Sequence, residues 1–342
     1  MKAPWANIAL LIILITLLVT GYLGLVNGEE QAAWRLWLHG IAAYALIVLF
    51  VWKGAIILDA YRRKKKWTRQ RVIFTLLLIM LLLVVAMGLL WTFNGPITVA
   101  GFSLVSLHIY LAIPLMLLML WHSWRQRFIW RVQGSTGRRL FLGTALTAVI
   151  GAALWRTAEW SRGILGLSSA QRRFTGSYEQ GSFTGQFPTV SWINDNPAPL
   201  DKSTWQLAID GAVAETVTLD YTSLLALPLA DREVTLDCTG GWYTRQLWQG
   251  VPLAEILDVA DLSPSAASIT IESITGFSRR FPLAEVEQML LATHVAGAPL
   301  SHSHGAPLRL VIPGRRGVDW VKWIAAIHVN TTSPLWQPPL PL

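Results

Sequence analysis

Residues 236–246 read LDCTGGWYTRQ. The run EVTLDC (233–238) alternates in the manner of a strand and stops at Cys238, the only cysteine of 342 residues. A Gly-Gly pair then breaks it. A lone cysteine is most often a small buried hydrophobe, so on this stretch alone Cys238 reads first as filler, with nucleophile and ligand for a soft metal as the alternatives. Outward from it lie further strand-like runs: TWQLAIDG (204–211), ETVTLDY (215–221), ASITIES (267–273), LRLVIP (308–313) and WIAAIHV (323–329). Helical stretches are expected at 223–228, 252–260 and 282–294, and residues 162–200, rich in Gly, Ser, Phe and Asn, read as linker and irregular lead-in. The expectation is a strand-rich α+β domain.

Ahead of this domain the composition changes. Residues 1–164 hold 17 Lys+Arg against 4 Asp+Glu, a net of +13; residues 165–342 hold 11 against 16, a net of −5; together they give the +8 of the whole chain. The basic excess lies in short loops between apolar runs, so it reads as membrane topology and excludes a nucleic-acid partner. The apolar runs cover 8–26, 37–58, 72–93, 102–121 and 140–155, where about 20 residues span a bilayer. Trp34, Trp37, Trp91, Trp121, Trp124 and Trp155 fall near their ends, as an interfacial belt would.

The loops orient the bundle. YRRKKKWTRQR (61–71) carries seven basic residues and WRQRFIWRVQGSTGRR (124–139) five, whereas NGEEQ and NGPITVAG carry none. The basic loops belong in the cytoplasm, which puts everything after about residue 160 on the periplasmic or extracellular side of a bacterial inner membrane, in a multi-pass chain with membrane lipid as partner. A lone cysteine there has no intramolecular disulfide partner. The fifth run opens TGRRLFLGTALTAVIGAAL (136–154), which resembles a twin-arginine export signal, Arg138–Arg139 followed by Phe141–Leu142, and is expected to remain as an uncleaved anchor. An ordinary positive-inside flank reads the same way. That export route moves folded domains, as a domain loaded with a cofactor in the cytoplasm requires.

Three histidines lie in the membrane half. His39 and His108 fall about one turn from the outer ends of the second and fourth runs, at matched depth, which is what bis-imidazole ligation of a haem iron requires. Interfacial histidines capped by water or headgroups fit the same positions. His122 follows His108 by 14 residues, roughly 21 Å along a helix, and is a candidate ligand of a second haem iron. Helix count and histidine placement resemble the haem-binding membrane subunits of ferric-reductase-like and cytochrome b-like groups.

The stretches TWQLAIDGAV, TLDYTSLLALP, VTLDCTGGWYTRQLWQGVPLAEIL and ATHVAGAPLSHSHGAPLRLVIPGRRGVDWVKWI, in this order within about residues 187–332, resemble the sulfite oxidase-type molybdopterin domain. Within that superfamily they are similar to the catalytic subunit of the bacterial methionine sulfoxide reductase system, whose partner is a haem-bearing membrane subunit; the chain reads as both fused. The resemblance implies Cys238 as the molybdenum ligand, a role that suits a soft thiolate. It implies Arg309, Lys322, Trp320 and Val321 as cofactor-binding positions, with Arg and Lys suited to phosphate. It further implies His304, Ser273 and Asn194, with Asn196 an alternative to the last. Arg315 with Arg316 is either a solvated turn or part of the phosphate pocket; Arg279 with Arg280 is a surface pair or an anion-recognising pair near the metal. Tyr243 and Arg245, so close after Cys238, are candidates for the substrate channel; Trp242 stands as core or site; His294 and His328 read as structural.

Three segments follow: a haem-binding four-helix transmembrane domain over 1–130; a cytoplasmic loop, export signal and fifth helix over 131–164; and an extracytoplasmic α+β molybdopterin domain over 165–342. The expected function is oxygen-atom transfer on a small oxo-substrate, reduction of a sulfoxide or N-oxide by electrons from haem b and quinone. Oxidation of sulfite or a related anion, assisted by Arg279, Arg280 and Arg315, is the alternative. A non-catalytic membrane-tethered sensor or binding module, and more distantly a transporter, are the competing classes.

Overall fold

The structure, a computed structural model, describes residues 4–63, 67–125, 137–191 and 195–334. These form two compact units: one of residues 1–25 and 30–178, the other of residues 26–29 and 179–342. Residues 165–178, expected with the C-terminal domain, cluster with the helices.

The first unit is built on five helices, α1 (Pro4–Val26), α2 (Ala33–Arg63), α3 (Arg69–Asn94), α4 (Leu104–Arg125) and α5 (Gly137–Ile164), with a two-stranded ribbon of β1 (Thr98–Val99) and β2 (Phe102–Ser103) between α3 and α4. All five are long and apolar enough to cross a membrane. Thr68 caps α3, its side chain accepting from the Arg71 amide. α2 packs on α5 and α3 on α4. Ala9, Leu14, Ala45, Leu46, Leu81 and Leu115 fill the interior, yet Val51, Leu76, Leu82, Leu117, Leu146 and Val149 face outward. Helices apolar on every side are what lipid selects.

The second unit holds two sheets. In the first the order is β11 (Ala298–Pro299), β10 (Leu290–Val295), β7 (Trp242–Pro252), β3 (Tyr178–Glu179), with β12 (Arg309–Val311) paired to β10 and β6 (Ala230–Asp237) to β7. In the second the order is β5 (Val217–Asp220), β4 (Gln206–Gly211), β13 (Ile324–Asn330), β8 (Ser268–Ser273), β9 (Ser278–Pro282), antiparallel except for β4 beside β13. Two short helices complete the unit. α6 (Tyr221–Leu225) is capped by Asp220, and α7 (Leu253–Ala260) buries Leu253, Ile256, Leu257 and Ala260 on one face. Trp248, Leu207, Ile209, Phe281 and Ile327 are fully enclosed in the common core; truncating such a residue to Ala costs about 2–5 kcal/mol.

The helix expected at 282–294 is not formed. Leu283–Gln288 makes a short 3-10 turn and Leu290–Val295 is β10. Leu290, Leu291 and Ala292 have no exposed surface, and backbone buried between β7 and β12 finds its hydrogen bonds in ladders to both. Tertiary pairing overrides the helical propensity of LAEVEQML.

Candidate functional site

Cys238 directly follows β6, and the chain turns at once into β7. The Cys238 amide donates to the Trp242 carbonyl (2.9 Å) and the Gly241 amide to the Cys238 carbonyl (3.1 Å). Gly241 has φ +90°, a conformation that favours glycine. The turn aims the Gly240 amide at Cys238 Sγ (3.3 Å). Burial pushes the thiol up, while the Gly240 amide and the guanidinium groups of Arg316 and Arg309 favour its thiolate. A metal ion would decide that balance, since a coordinating thiol is deprotonated outright.

Cys238 lines a cavity of about 40 Å³ together with Trp242, His304, Arg309, Gly317 and Lys322, among others. An open groove of about 610 Å³ along 180–181 and 185–189 shares His304, Ser303, Pro188 and Thr189 with it. Gly317 lies where the loop passes the turn: a Cβ there would meet Cys238 Cα at 3.4 Å and Leu236 Cδ1 at 3.2 Å. Arg309 is 6% exposed, between the indoles of Trp248 (5.4 Å) and Trp320 (5.6 Å), and donates to the His304 carbonyl (2.9 Å). Among the described residues its Nε is buried with no partner. Burial lowers the Arg309 pKa to about 10. Lys322 donates to Ser191 Oγ (2.7 Å) and to the carbonyls of Val190 (3.2 Å) and Ser303 (3.3 Å). Burial, then repulsion from Arg309, lowers its pKa to about 8. His304 lies on the Phe187 ring (4.0 Å between centroids), its Nε2 against the Phe187 carbonyl and Nδ1 against Ser301 Oγ.

The remaining candidates fall in different places. Trp320 is buried and donates to the Arg315 carbonyl; Val321 is buried and its carbonyl accepts from Leu310. Ser273 Oγ accepts from Thr275 in the β8–β9 turn, away from the residues lining the cavity. Arg279 is paired with Asp319 (3.4 Å) and Arg315 with Glu285; neither lines the cavity, nor does Tyr243, whose carbonyl accepts from Gln180. Arg280 is engaged with Ser268 and Thr332. Asn194 lies outside the described residues, and Asn196 is exposed. Of the Arg315–Arg316 pair, Arg316 is the residue at the site. It is 4% exposed, donates to the carbonyls of Asp237 (3.2 Å) and Cys238 (2.9 Å), and lies 3.5 Å from the Asp237 carboxylate. Alternation in an extended segment turns one of two neighbours inward, but only the fold selects which.

These residues fit a metal–pterin phosphate. Among the described residues no cluster of three or more His, Cys, Asp or Glu could hold a metal, so a metal at Cys238 brings its other ligands with it. Arg316 is answered by Asp237, whereas Arg309 and Lys322 form no ion pair among the described residues. An anion placed beside them satisfies buried charges that are otherwise costly.

In the helical unit, the rings of His39 and His108 stand 6.3 Å apart at 72°. His39 Nδ1 meets the Leu17 carbonyl (3.1 Å) and His108 Nδ1 the Val84 carbonyl (2.9 Å). A carbonyl only accepts, so each Nδ1 carries the proton and each Nε2 keeps its lone pair for a metal. Two metal–imidazole bonds of about 2 Å, plus roughly 1 Å from each nitrogen to its ring centre, sum to roughly 6 Å. Gly21 and Gly88 face these rings; a Cβ would come to 3.2 Å of His39 and 3.4 Å of His108. His122 lies on α4, and α2 has no histidine besides His39 to stand opposite it.

The model of the oxidoreductase molybdopterin binding domain family matches residues 195–335. The protein-methionine-sulfoxide reductase catalytic subunit of Gluconobacter oxydans is 31% identical over 150 residues, 38% of this chain and 48% of that protein. The uncharacterized oxidoreductase YuiH of Bacillus subtilis is 29% identical over 148 residues, 42% of this chain and 74% of that one. The chain thus spans about half the length of the first relative and about three quarters of the second. Among solved structures, the sulfane dehydrogenase SoxCD of Paracoccus pantotrophus shares 26% identity over 40% of each chain, with a TM-score of 0.38.

Proposed function

We propose that this chain, whose residues 195–335 match the oxidoreductase molybdopterin binding domain family, is a molybdopterin-dependent enzyme that reduces a sulfoxide- or N-oxide-like substrate outside the cytoplasmic membrane. Its electrons come from quinol through a b-type haem on His39 and His108. The observation that carries this reading is the Cys238 thiol at the wall of a cavity that also holds Arg309 and Lys322. The likeness to a methionine sulfoxide reductase subunit favours reduction over oxidation. The five apolar helices and their basic loops support a multi-pass anchor with the C-terminal unit on the periplasmic or extracellular side, reached through the Arg138–Arg139 signal.

When bound, the molybdenum–pterin group supplies two-electron oxygen-atom transfer and the haem a one-electron relay. Cys238 holds the metal, and the Gly240 amide and Arg316 fix the turn that presents its sulfur. Arg309 and Lys322 bind the anionic end of the pterin, and Phe187 with His304 closes that wall. Reducing a sulfoxide takes two electrons and two protons and releases water; oxidation of a quinol releases both. Oxidation of a sulfite-like anion is less supported, because Arg279, Arg280 and Arg315 are engaged elsewhere.

The test is metal analysis of the full chain from a cofactor-competent host, with a dye-linked screen of sulfoxides, N-oxides and sulfite. Molybdenum near one per chain and dye oxidation by a sulfoxide are expected. Absence of molybdenum would sink the reading. The haem is checked separately: Soret and α bands should be present, and lost in His39→Ala and His108→Ala.

A further inference from the structure

The helical unit buries more positive charge than it neutralises. Arg162, near the end of α5, is 4% exposed; Arg172, in the segment after α5, is 17% exposed. Both reach the same carboxylate, Glu159. Arg162 also donates to the Ser169 carbonyl, but among the described residues its Nε is buried with no partner. Arg35, in the first turns of α2, likewise has a buried Nε without a partner and no ion pair among the described residues. Arg162 and Arg172 share one carboxylate, which leaves one enclosed positive charge over, and Arg35, half-buried with its guanidinium 5.7 Å from the Trp34 ring, adds a second cation. Uncompensated buried charge is costly, so the arrangement calls for an anion.

The position of the cluster says which anion. Arg35 precedes His39 by four residues and shares its face of α2, about one turn or 5.4 Å away. Arg172 donates to Thr92 Oγ1 (3.3 Å), and Thr92 follows Gly88 by four residues on α3. Gly88 is the residue against which the His108 ring lies. Tyr61 of α2 bonds Thr75 of α3, so the two helices run antiparallel. The start of α2 and the end of α3 therefore lie at one end of the bundle. The cations sit one turn beyond both imidazoles, on that side.

We propose that Arg35, Arg162 and Arg172 seat the two propionate carboxylates of a haem held by His39 and His108, an inference that rests on the haem reading above. Two carboxylates cancel the excess charge, and guanidinium forks bind carboxylates well. A phospholipid phosphate is the competing anion, but a headgroup keeps its charge in water and Arg162 is enclosed.

The test uses the full chain in detergent, wild type beside Arg35→Gln, Arg172→Gln and their Lys counterparts. The readouts are the visible spectrum and the haem midpoint potential. Removing one guanidinium leaves a propionate uncompensated beside the iron and favours the oxidised state. At fixed potential the reduced-to-oxidised ratio should fall about tenfold, about 59 mV for one electron, with unchanged bis-imidazole bands. The Lys variants, which keep both charge and fold, should stay near wild type. Reconstitution with haem dimethyl ester should erase the difference between wild type and the Gln variants. The proposal is overturned, with the haem reading intact, if the bis-imidazole bands persist and both Gln variants keep the wild-type potential. It is also overturned if the difference survives in the ester and follows added anionic phospholipid. If wild type has no bands that depend on His39 and His108, the haem reading fails and takes this inference with it.

Discussion

Replacing Arg309 by Met removes a cation that the cofactor-free fold holds at a disadvantage. Burial lowers its pKa from the usual arginine range to about 10. At about 1.4 kcal/mol per unit this is about 3.5 kcal/mol against the charged form. The sign follows from linkage: the folded pKa lies below the unfolded one, both states are protonated below pH about 10, and the whole penalty acts at neutral pH. Against it stand a charged hydrogen bond to the His304 carbonyl, about 1.5–3 kcal/mol, and contacts with two indoles, about 0.5–2 kcal/mol each. The opposing terms sum to about 2.5–7 kcal/mol, from slightly below the penalty to above it, so Met, similar in length and apolar, should leave the cofactor-free unit within about 2 kcal/mol of wild type. With cofactor the same change removes a charge-assisted phosphate contact, and retention should weaken roughly 10- to 100-fold, about 1.5–3 kcal/mol. The assay is urea denaturation of the full chain in detergent, prepared with and without molybdenum cofactor, reading the first cooperative transition. A loss above about 2 kcal/mol in the cofactor-free protein would refute the reasoning, because Arg309 would then be a structural strut.

Cys238→Ser should leave folding intact, at a cost of about 1 kcal/mol for a hydroxyl in a buried site, and abolish sulfoxide reduction; X-ray absorption of any retained molybdenum should show one sulfur ligand fewer. Gly21→Val places a branched side chain against the His39 ring, whose nearest carbon is 3.2 Å from the new Cβ, so haem content should drop several-fold while the molybdenum centre is unaffected. His328 lies between Asp210 (2.6 Å) and Glu272 (3.2 Å). Burial lowers its pKa, but hydrogen bonds and charge from both acids outweigh this and raise it. Its contribution to stability is therefore full below the unfolded pKa near 6.5 and fades as pH rises through the folded value. The difference in Tm between wild type and His328→Ala should shrink over that window; a constant difference would contradict the assignment.

The parts of the fold set by local pattern were legible. Uninterrupted apolar runs announced the five helices, and β4, β5, β8 and β13 alternate as half-buried strands do. β7 escaped because Thr244 and Gln246 occupy inward positions with no exposure, satisfied by one another and by the Gly181 carbonyl; a polar residue that points inward breaks the expected alternation. β10 escaped because its residues favour helix until two neighbours claim its backbone. At the site, Cys238, His304, Arg309 and Lys322 line one cavity. The choice between Arg315 and Arg316, and the diversion of Arg279 to Asp319, depend on partners some forty to eighty residues away in the chain, which no local pattern encodes.

One wall of the Cys238 cavity is made of residues 188–190, which belong to no sheet. The segment is tied down by the Lys322 ammonium at the Val190 carbonyl and Ser191 hydroxyl, and by the His304 ring at the Phe187 carbonyl. A ligand as bulky as a pterin cannot diffuse through close-packed strands, whereas residues 188–191 are held by side-chain hydrogen bonds from Lys322, on the order of 1 kcal/mol each, beside Phe187, which is anchored in the core. Opening at this wall would leave every β-ladder of the unit intact. Lys322, which holds this wall in place, is also the residue to which the proposed function gives the anionic end of the pterin.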